Sequence, residues 1–269
     1  MDFGAISERG LVLLGCGKMG GAMLSGWLAE GLSPGAVHVI DPKPSDWLTA
    51  QRVHVNGSLP PNPAMTILAV KPQMMGEALP QVAALSGQTV YLSIAAGTTI
   101  AALEAALGEG SAIIRAMPNT PAAVARGITA LIGNAHVNES DMKLAEGLLS
   151  AVGQVVRLDN EGDMDAVTAV SGSGPAYVFH MIECLAAAGE AEGLSADLAM
   201  ALAKATVAGA GALAEQAADS PSQLRVNVTS PNGTTQAALD VLMDETGGLP
   251  PLMRRAVSAA AERSRELGQ

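Results

Sequence analysis

Apolar residues along the first 160 positions come in short runs, at 11–14, 37–40, 65–70, 89–94 and 112–114, with polar turns between them. Separating these runs are stretches with helix-compatible apolar spacing, from Gly20 to about Glu30, at 73–85 and at 99–108. Apolar runs this short predict strands, and the alternation of strand with helix predicts a parallel, doubly wound sheet. A last pair of strands is predicted at Gly127 to Ile132 and Gln154 to Leu158, on either side of a helix at 138–152. Near residue 160 the strand signal stops. Ala-rich segments at 175–192, 196–218, 231–245 and 250–267 then predict helices alone. The expected fold is an α/β domain over 1–160 followed by an all-α domain over 161–269.

Composition narrows the class. Hydrophobic residues make up 49% of the chain and aromatics only 2%, so the interior is built from Ala, Val, Leu, Ile and Met, which suits helices packed tightly around a sheet. Glu183, Glu190, Glu192, Lys204 and Glu215 interrupt the most apolar helices, short of the roughly 18 uncharged residues of a membrane span, so a soluble protein is expected. Met1 to Gly10 carries Asp2, Glu8 and Arg9 and lacks the basic-then-apolar order of a secretory signal, which makes the cytoplasm the expected location. Cys16 and Cys184 are the only cysteines and imply neither a disulfide framework nor a metal cluster; no metal is expected.

A formal charge of −11 opposes the phosphate neutralisation that drives nucleic-acid binding. With two Trp, two Tyr and two Phe, little is available for base stacking either. The acidity is concentrated in the helical half, where 14 acidic residues face 6 basic ones, against 12 and 9 in residues 1–160. A phosphate binder is therefore expected in the first half. Small residues in 186–216, among them Gly189, Gly193, Gly209 and Gly211, predict close helix packing or a subunit interface.

The first strand runs into Gly15-Cys16-Gly17-Lys18-Met19-Gly20. In a strand–turn–helix of this spelling the first glycine makes the tight turn, the second lets the backbone approach a pyrophosphate, and the third lets helix and strand touch. The helix N-terminus adds N–H donors and the positive end of a dipole. Asp41 closes the next strand 21 residues beyond Gly20, the place of a ribose-binding carboxylate. These positions predict a dinucleotide held by Gly15 to Gly20 and Asp41, on a Rossmann-like, doubly wound sheet. An acid at position 41 leans toward NADH, a lean that Lys43 and Ser45 soften; Asp41 is also compatible with a plain surface turn before Pro42. Ala69 to Gln73 and Ser93 to Thr98 end later strands at the same carboxyl edge, where Pro72 and Gly97 also read as ordinary turn residues.

Three further segments carry polar groups. Arg115 to Ala122 combines Pro118 and Pro121 with Asn119 and Thr120, and fits a ligand loop and a merely rigid turn alike. Ser171 to Tyr177 reads as a glycine-rich entry into a helix, with Ser173 near the cap and Pro175 in the first turn. Val228 to Thr235 gathers Thr229, Ser230, Thr234 and Thr235 at a helix N-terminus, a seat for a carboxylate, although in isolation such a cluster reads as capping. No histidine sits in a motif: His38 and His54 fall in strands, His136 in a loop and His180 on a helix, and all four read as structural.

Taken in order, Gly15 to Gly20, Ala69 to Gln73, Ser93 to Thr98, Arg115 to Ala122, Ser171 to Tyr177 and Val228 to Thr235 resemble the pyrroline-5-carboxylate reductase family, over nearly the whole chain. The resemblance implies reduction of 1-pyrroline-5-carboxylate to L-proline by NADPH or NADH, the last step of proline biosynthesis. It implies a homodimer in which the helical half pairs with another subunit to complete each active site, and dimers that can assemble further. It adds Asn56, Ala69, Val70, Lys71, Pro72, Ala95, Ala96, Gly97, Asn119 and Asn227 as nucleotide contacts. Glu161, Thr234 and Thr235 become contacts of substrate or proline.

On that basis the helix opening at Ser230, Gly233, Thr234 and Thr235 holds the substrate carboxylate, and Thr235 is the candidate proton relay to the ring nitrogen. An imine that arrives protonated, or takes its proton from water, would leave Thr235 a positioning role. The chain departs from the family at Asn232, where relatives carry glycine, and at Asp41-Pro42, where many relatives suit a 2′-phosphate; Asn tolerates positive φ better than most residues. Two rival readings are weaker. A β-hydroxyacid dehydrogenase calls for a catalytic Lys on the first helix of its second domain, yet no Lys follows Pro175 until Lys204. A non-catalytic dinucleotide-binding sensor has no use for the hydroxyls at 229–235.

Overall fold

The apolar runs become the strands of one sheet in the computed structural model, which describes residues 3–268. Met1, Asp2 and Gln269, the outermost residues of the two expected domains, lie outside the described residues. The strands are β1 (Leu11–Leu14), β2 (Val37–Ile40), β3 (His54–Val55), β4 (Met65–Leu68), β5 (Val90–Ser93), β6 (Ala112–Met117), β7 (Gly127–Gly133) and β8 (Gly153–Arg157). Their order is β3-β2-β1-β4-β5-β6-β7-β8. From β3 to β6 all neighbours are parallel; β7 is antiparallel to β6, and β8 is parallel to β7. The reversal follows from chain length, because only residues 118–126 join β6 to β7, too few for the crossover that a parallel pair needs.

Among the described residues seven helices or helical turns belong to the unit that holds the sheet, α1 (Gly4–Arg9), α2 (Lys18–Ala29), α3 (Asp46–Ala50), α4 (Met75–Ala78), α5 (Ile100–Leu107), α6 (Glu139–Ser150) and α7 (Met164–Val167), and α8 (Gly174–Ala191) follows them in the chain. The remaining ones are α9 (Ala196–Gln216), α10 (Pro221–Asn227), α11 (Thr234–Leu242) and α12 (Leu249–Leu267). The stretch 73–85, expected as one helix, is broken into α4 and flanking 3₁₀ turns. Pro80 explains the break, since its ring removes an N–H and clashes with the preceding turn.

Strands β1, β4 and β5 are buried along their whole length, as parallel strands covered on both faces must be. Alternate residues serve two cores. Leu11, Leu13 and Ile67 pack with Trp27 of α2 and Leu148 of α6, whereas Val12, Leu14 and Tyr91 pack with Leu79 and with Leu103 of α5. The fold is therefore doubly wound, with α2 and α6 on one face and α4 and α5 on the other.

The chain forms two compact units, divided at Gly172/Ser173, with the residues from Ala261 onward returning to the first. This division falls later than residue 160 because Met164 and Ala169 are buried in the first unit. The second unit is helical. Its helices α8 and α9 meet through Ala186, Ala199 and Ala203, and a Cβ on Gly189 would stand 3.3 Å from that of Ala199. A Cβ on Gly209 or Gly211 would meet nothing within 4 Å, so their smallness is not used inside the unit. Large apolar side chains such as Phe179, Leu185, Leu198, Leu202 and Leu213 are exposed. By length and composition alone α9 is long and apolar enough to cross a membrane.

Trp27 anchors the first core: it is fully buried, and its Nε1 donates to the Leu148 carbonyl at 2.8 Å. Trp27→Ala is expected to lower the stability of the first unit by about 3–5 kcal/mol, read as a shift of the urea midpoint followed by circular dichroism.

Candidate active site

The three glycines of the first turn have three different surroundings. Gly15 has φ 91, and a Cβ there would lie 2.8 Å from Val70 Cγ1 and 2.9 Å from the Ala69 carbonyl oxygen. A Cβ on Gly20 would lie 2.5 Å from the Gly15 carbonyl oxygen. A Cβ on Gly17 would meet nothing within 4 Å. Thus Gly15 and Gly20 are required by the packing of the turn on the end of β4, whereas Gly17 faces open space at the start of α2. Among the described residues no side chain caps α2, whose N-cap is Gly17. Open amides at a helix start, with the positive dipole end behind them, suit a pyrophosphate.

In front of this helix lies a crevice of about 680 Å³ whose lining includes Cys16, Gly17, Lys18, Asp41, Lys43 and Trp47. The Asp41 carboxylate accepts from the backbone N–H of Cys16 at 2.7 Å and of Lys43 at 2.8 Å. It is therefore oriented by the chain itself, one oxygen fixed on the glycine turn. Asn56, at φ 51, exchanges two hydrogen bonds with the backbone of Asp41, donating at 2.8 Å and accepting at 2.9 Å. A second hollow of about 450 Å³ on that side includes Ile40, Pro42, Asn56 and Gln81. Burial, and then the Asp41 charge, push the Cys16 thiol up to about 11, so it stays protonated at neutral pH and is no nucleophile.

The other expected nucleotide contacts separate into two groups. Met19 lies in the first turns of α2, Ala69 to Pro72 follow β4, and Ala95 to Gly97 follow β5, all at the carboxyl edge of the parallel strands with the glycine turn. Asn119 belongs to that unit too, but both ends of its amide are engaged: Oδ1 accepts from Ile128 N–H at 3.0 Å and Nδ2 donates to Ser171 Oγ at 3.2 Å. Asn227 lies in the second unit, where it donates to Asp219 and accepts from Gln223.

Glu161, expected beside substrate, folds with the first unit. Its Oε1 accepts from Arg115 Nη1 at 2.6 Å and from the Ile100 N–H, the first amide of α5, at 2.9 Å. Arg115 is almost fully buried within β6, and Glu161 is its ion-pair partner. Removing one member of such a pair strands a buried charge. The sequence names both residues but not their pairing: Arg115 reads as the start of a polar turn, whereas the strand runs on to Met117. Trp47, Ser25 and Ala123 at the crevice had no signal in the sequence.

In the second unit Ser230 to Gly233 make a turn closed by the Gly233 N–H on the Ser230 carbonyl at 3.0 Å, with Asn232 at φ 57. Asn232 thus adopts a left-handed backbone, which Asn tolerates better than most residues. Helix α11 starts at Thr234 without a side-chain cap. Thr229 turns its hydroxyl back to the Arg225 carbonyl at 2.6 Å, which leaves Ser230, Thr234 and Thr235 as the free-standing members of the cluster. A pocket of about 450 Å³ beside α11 takes in Thr229, Arg225, Gln236 and Asp240, and not Thr234 or Thr235.

Residues 161–267 match the family described as pyrroline-5-carboxylate reductase dimerisation, and residues 10–97 match NADP oxidoreductase coenzyme F420-dependent. A pyrroline-5-carboxylate reductase of Pseudomonas aeruginosa is 38% identical over 271 residues, covering 98% of each chain. The structure of a pyrroline-5-carboxylate reductase from Coxiella burnetii superposes with a TM-score of 0.89 at 34% identity, over 97% of this chain and 99% of that one. A Plasmodium falciparum pyrroline carboxylate reductase with NADP bound gives 0.84 at 29% identity, over 97% and 98%.

The glycine surroundings yield a paired test. Gly20→Ala is expected to weaken cofactor binding about tenfold or more and to lower the melting temperature, because the added methyl collides with backbone. Gly17→Ala is expected to weaken binding comparably with little change in melting temperature, since its methyl enters only the space a pyrophosphate would fill. Calorimetric titration with NADH and NADPH beside thermal melts reads both.

Proposed function

The chain belongs to the pyrroline-5-carboxylate reductase family, and from that premise we propose how its own residues serve the reduction of 1-pyrroline-5-carboxylate to L-proline. It is an enzyme of proline biosynthesis that uses NADH or NADPH. When bound, the nicotinamide supplies the hydride that the C=N carbon receives. The protein's task is then to hold two partners in register, keep the carboxylate neutralised, and provide for a proton on nitrogen. Alignment alone is worth roughly 7–11 kcal/mol of barrier in well-oriented reactions.

The dinucleotide is assigned to the first unit: pyrophosphate at Gly15 to Gly20, ribose at Asp41 and Asn56, and nicotinamide along Ala69 to Pro72 and Ala95 to Gly97. Asn119 acts there by fixing the loop after β6, and Asn227 is assigned to the nucleotide from the helical domain 161–269. The substrate carboxylate is assigned to the α11 N-terminus, where the amides of Thr234 and Thr235 and the hydroxyls of Ser230, Thr234 and Thr235 stand open. The observation that carries this assignment is the uncapped start of α11 behind a glycine N-cap at φ −84, ψ 174. Thr235 is the group set against the ring nitrogen. Glu161 contributes by holding Arg115 and the start of α5, with its second oxygen left for the substrate.

The same reading makes the enzyme a cytoplasmic homodimer, with each active site drawing on both subunits. It is supported by the exposed Phe179, Leu198 and Leu202 on helices of the matched dimerisation region. The apolar character of α9 then serves association between chains.

Two outcomes test these assignments. Oxidation of NADH and NADPH with pyrroline-5-carboxylate, followed at 340 nm, is the direct assay; Thr235→Ala should lower kcat/KM at least about tenfold while cofactor affinity holds, and Thr235→Ser should restore it. Unaltered kinetics would remove Thr235 from the site. Separately, Asp41→Asn should raise the NADPH-to-NADH ratio of kcat/KM by about tenfold or more, since a carboxylate repels a 2′-phosphate; damage to the glycine turn itself would affect both cofactors and cancel in the ratio.

A further inference from the structure

The turn after β5 is held from behind by the far end of the chain. Gly97 has φ 78, and a Cβ there would stand 3.1 Å from Leu267 Cβ and 3.4 Å from the Leu267 carbonyl group. Reciprocally, a Cβ on Gly268 would lie 2.9 Å from the Gly97 carbonyl oxygen. Two backbones thus touch where neither tolerates a side chain. Leu267 is 50% exposed, so the contact is made by its main chain and Cβ and is no hydrophobic plug.

The tail that makes this contact is itself fixed. Ser264 is 4% exposed and donates to Asp165 Oδ1 at 2.5 Å. Asp165 lies in α7, one turn beyond Glu161. Glu161 in turn accepts from the Ile100 N–H, the amide that follows the turn into α5, and from the buried Arg115. The turn 95–99 is therefore clasped at Gly97 by the tail and at Ile100 by Glu161, and the two clasps join through α7. All of these residues belong to the first unit.

We infer that the last turn of the chain, Ser264 to Gly268, is a positioning element of the cofactor site, holding the Ala95 to Gly97 turn in the shape that receives the nicotinamide end of the dinucleotide. The inference rests on the proposed assignment of Ala95 to Gly97 to the cofactor. A turn with a positive-φ glycine is soft by itself, because glycine has the widest choice of backbone states to lose. A main-chain contact across Gly97 removes that freedom before the ligand arrives, and ordering done in advance is not charged against affinity. The tail touches neither cofactor nor substrate in this scheme. It acts through the turn.

The test compares the full chain with a deletion of residues 265–269, and with Gly268→Val, which keeps the tail but drives a side chain against the Gly97 carbonyl. In cofactor-free protein, amide hydrogen exchange at 96–99 should quicken about tenfold in the deletion while exchange in the central strands is unchanged. The dissociation constants for NADH and NADPH should rise about tenfold in both variants, with KM for pyrroline-5-carboxylate moving less than about twofold. A role confined to stability would lower the melting temperature and the active fraction, and leave those constants alone; that result overturns the proposal. If the deletion fails to fold, Gly268→Val carries the same reading. Gly97→Ala serves as the reference: if it weakens cofactor binding while the two tail variants do not, the clasp is refuted and the cofactor assignment of the turn stands. If Gly97→Ala leaves cofactor binding unchanged, the assignment itself falls and the proposal with it.

Discussion

The close approach of the glycine turn to the end of β4 is the constraint on which the nucleotide half is organised. Gly15 is crowded by Ala69 and Val70, and Gly20 by Gly15, so strand, turn and helix meet with no side chain between them. This brings the start of α2 down to the sheet edge and aims its first amides along it. The Asp41 carboxylate then ties the end of β2 to the same turn through Cys16, and Asn56 ties β3 to Asp41. An edge made this way is mostly main chain. On a chain with a formal charge of −11, its oriented amides and helix dipole supply a positive potential that the composition does not reveal.

The fold was legible in the sequence wherever burial alone set the pattern. Strands β1, β2, β4 and β5 sit where short, mostly apolar runs predict them, and α8, α9 and α12 lie within about two residues of the Ala-rich segments. What was not legible depended on local competition or on short lengths. One helix was expected over 73–85, where Pro80 divides the segment; α3 and α10 are too short to develop a periodic face; and the reversal of β7 follows from loop length, which periodicity does not encode.

The candidate site shows the same division. Backbone features were readable: Gly15 and Gly20 are crowded as a tight turn and a helix–strand contact demand, and Asn232 takes the positive φ that Asn tolerates better than most residues. Side-chain roles were less so, because a motif names a residue and not its partner. Asn119 reads as a ligand group, yet its amide is spent on Ile128 and Ser171; Glu161 reads as a substrate carboxylate, yet one oxygen is committed to Arg115 and Ile100. These side chains also fix the loops they touch, an arrangement that only three-dimensional contacts disclose.

The fully buried residues between α8 and α9 are three alanines, flanked by the half-buried Ile182 and Met200, while Phe179, Leu185, Leu198, Leu202 and Leu213 of the same helices are exposed. So small a buried core gives these helices little reason to stay together in water. Where a helical unit of this kind is completed by a second chain, its folding becomes bimolecular and its standard free energy includes a concentration term. Dilution then acts as a denaturant on that unit, and a sheet with two cores of its own has no such term.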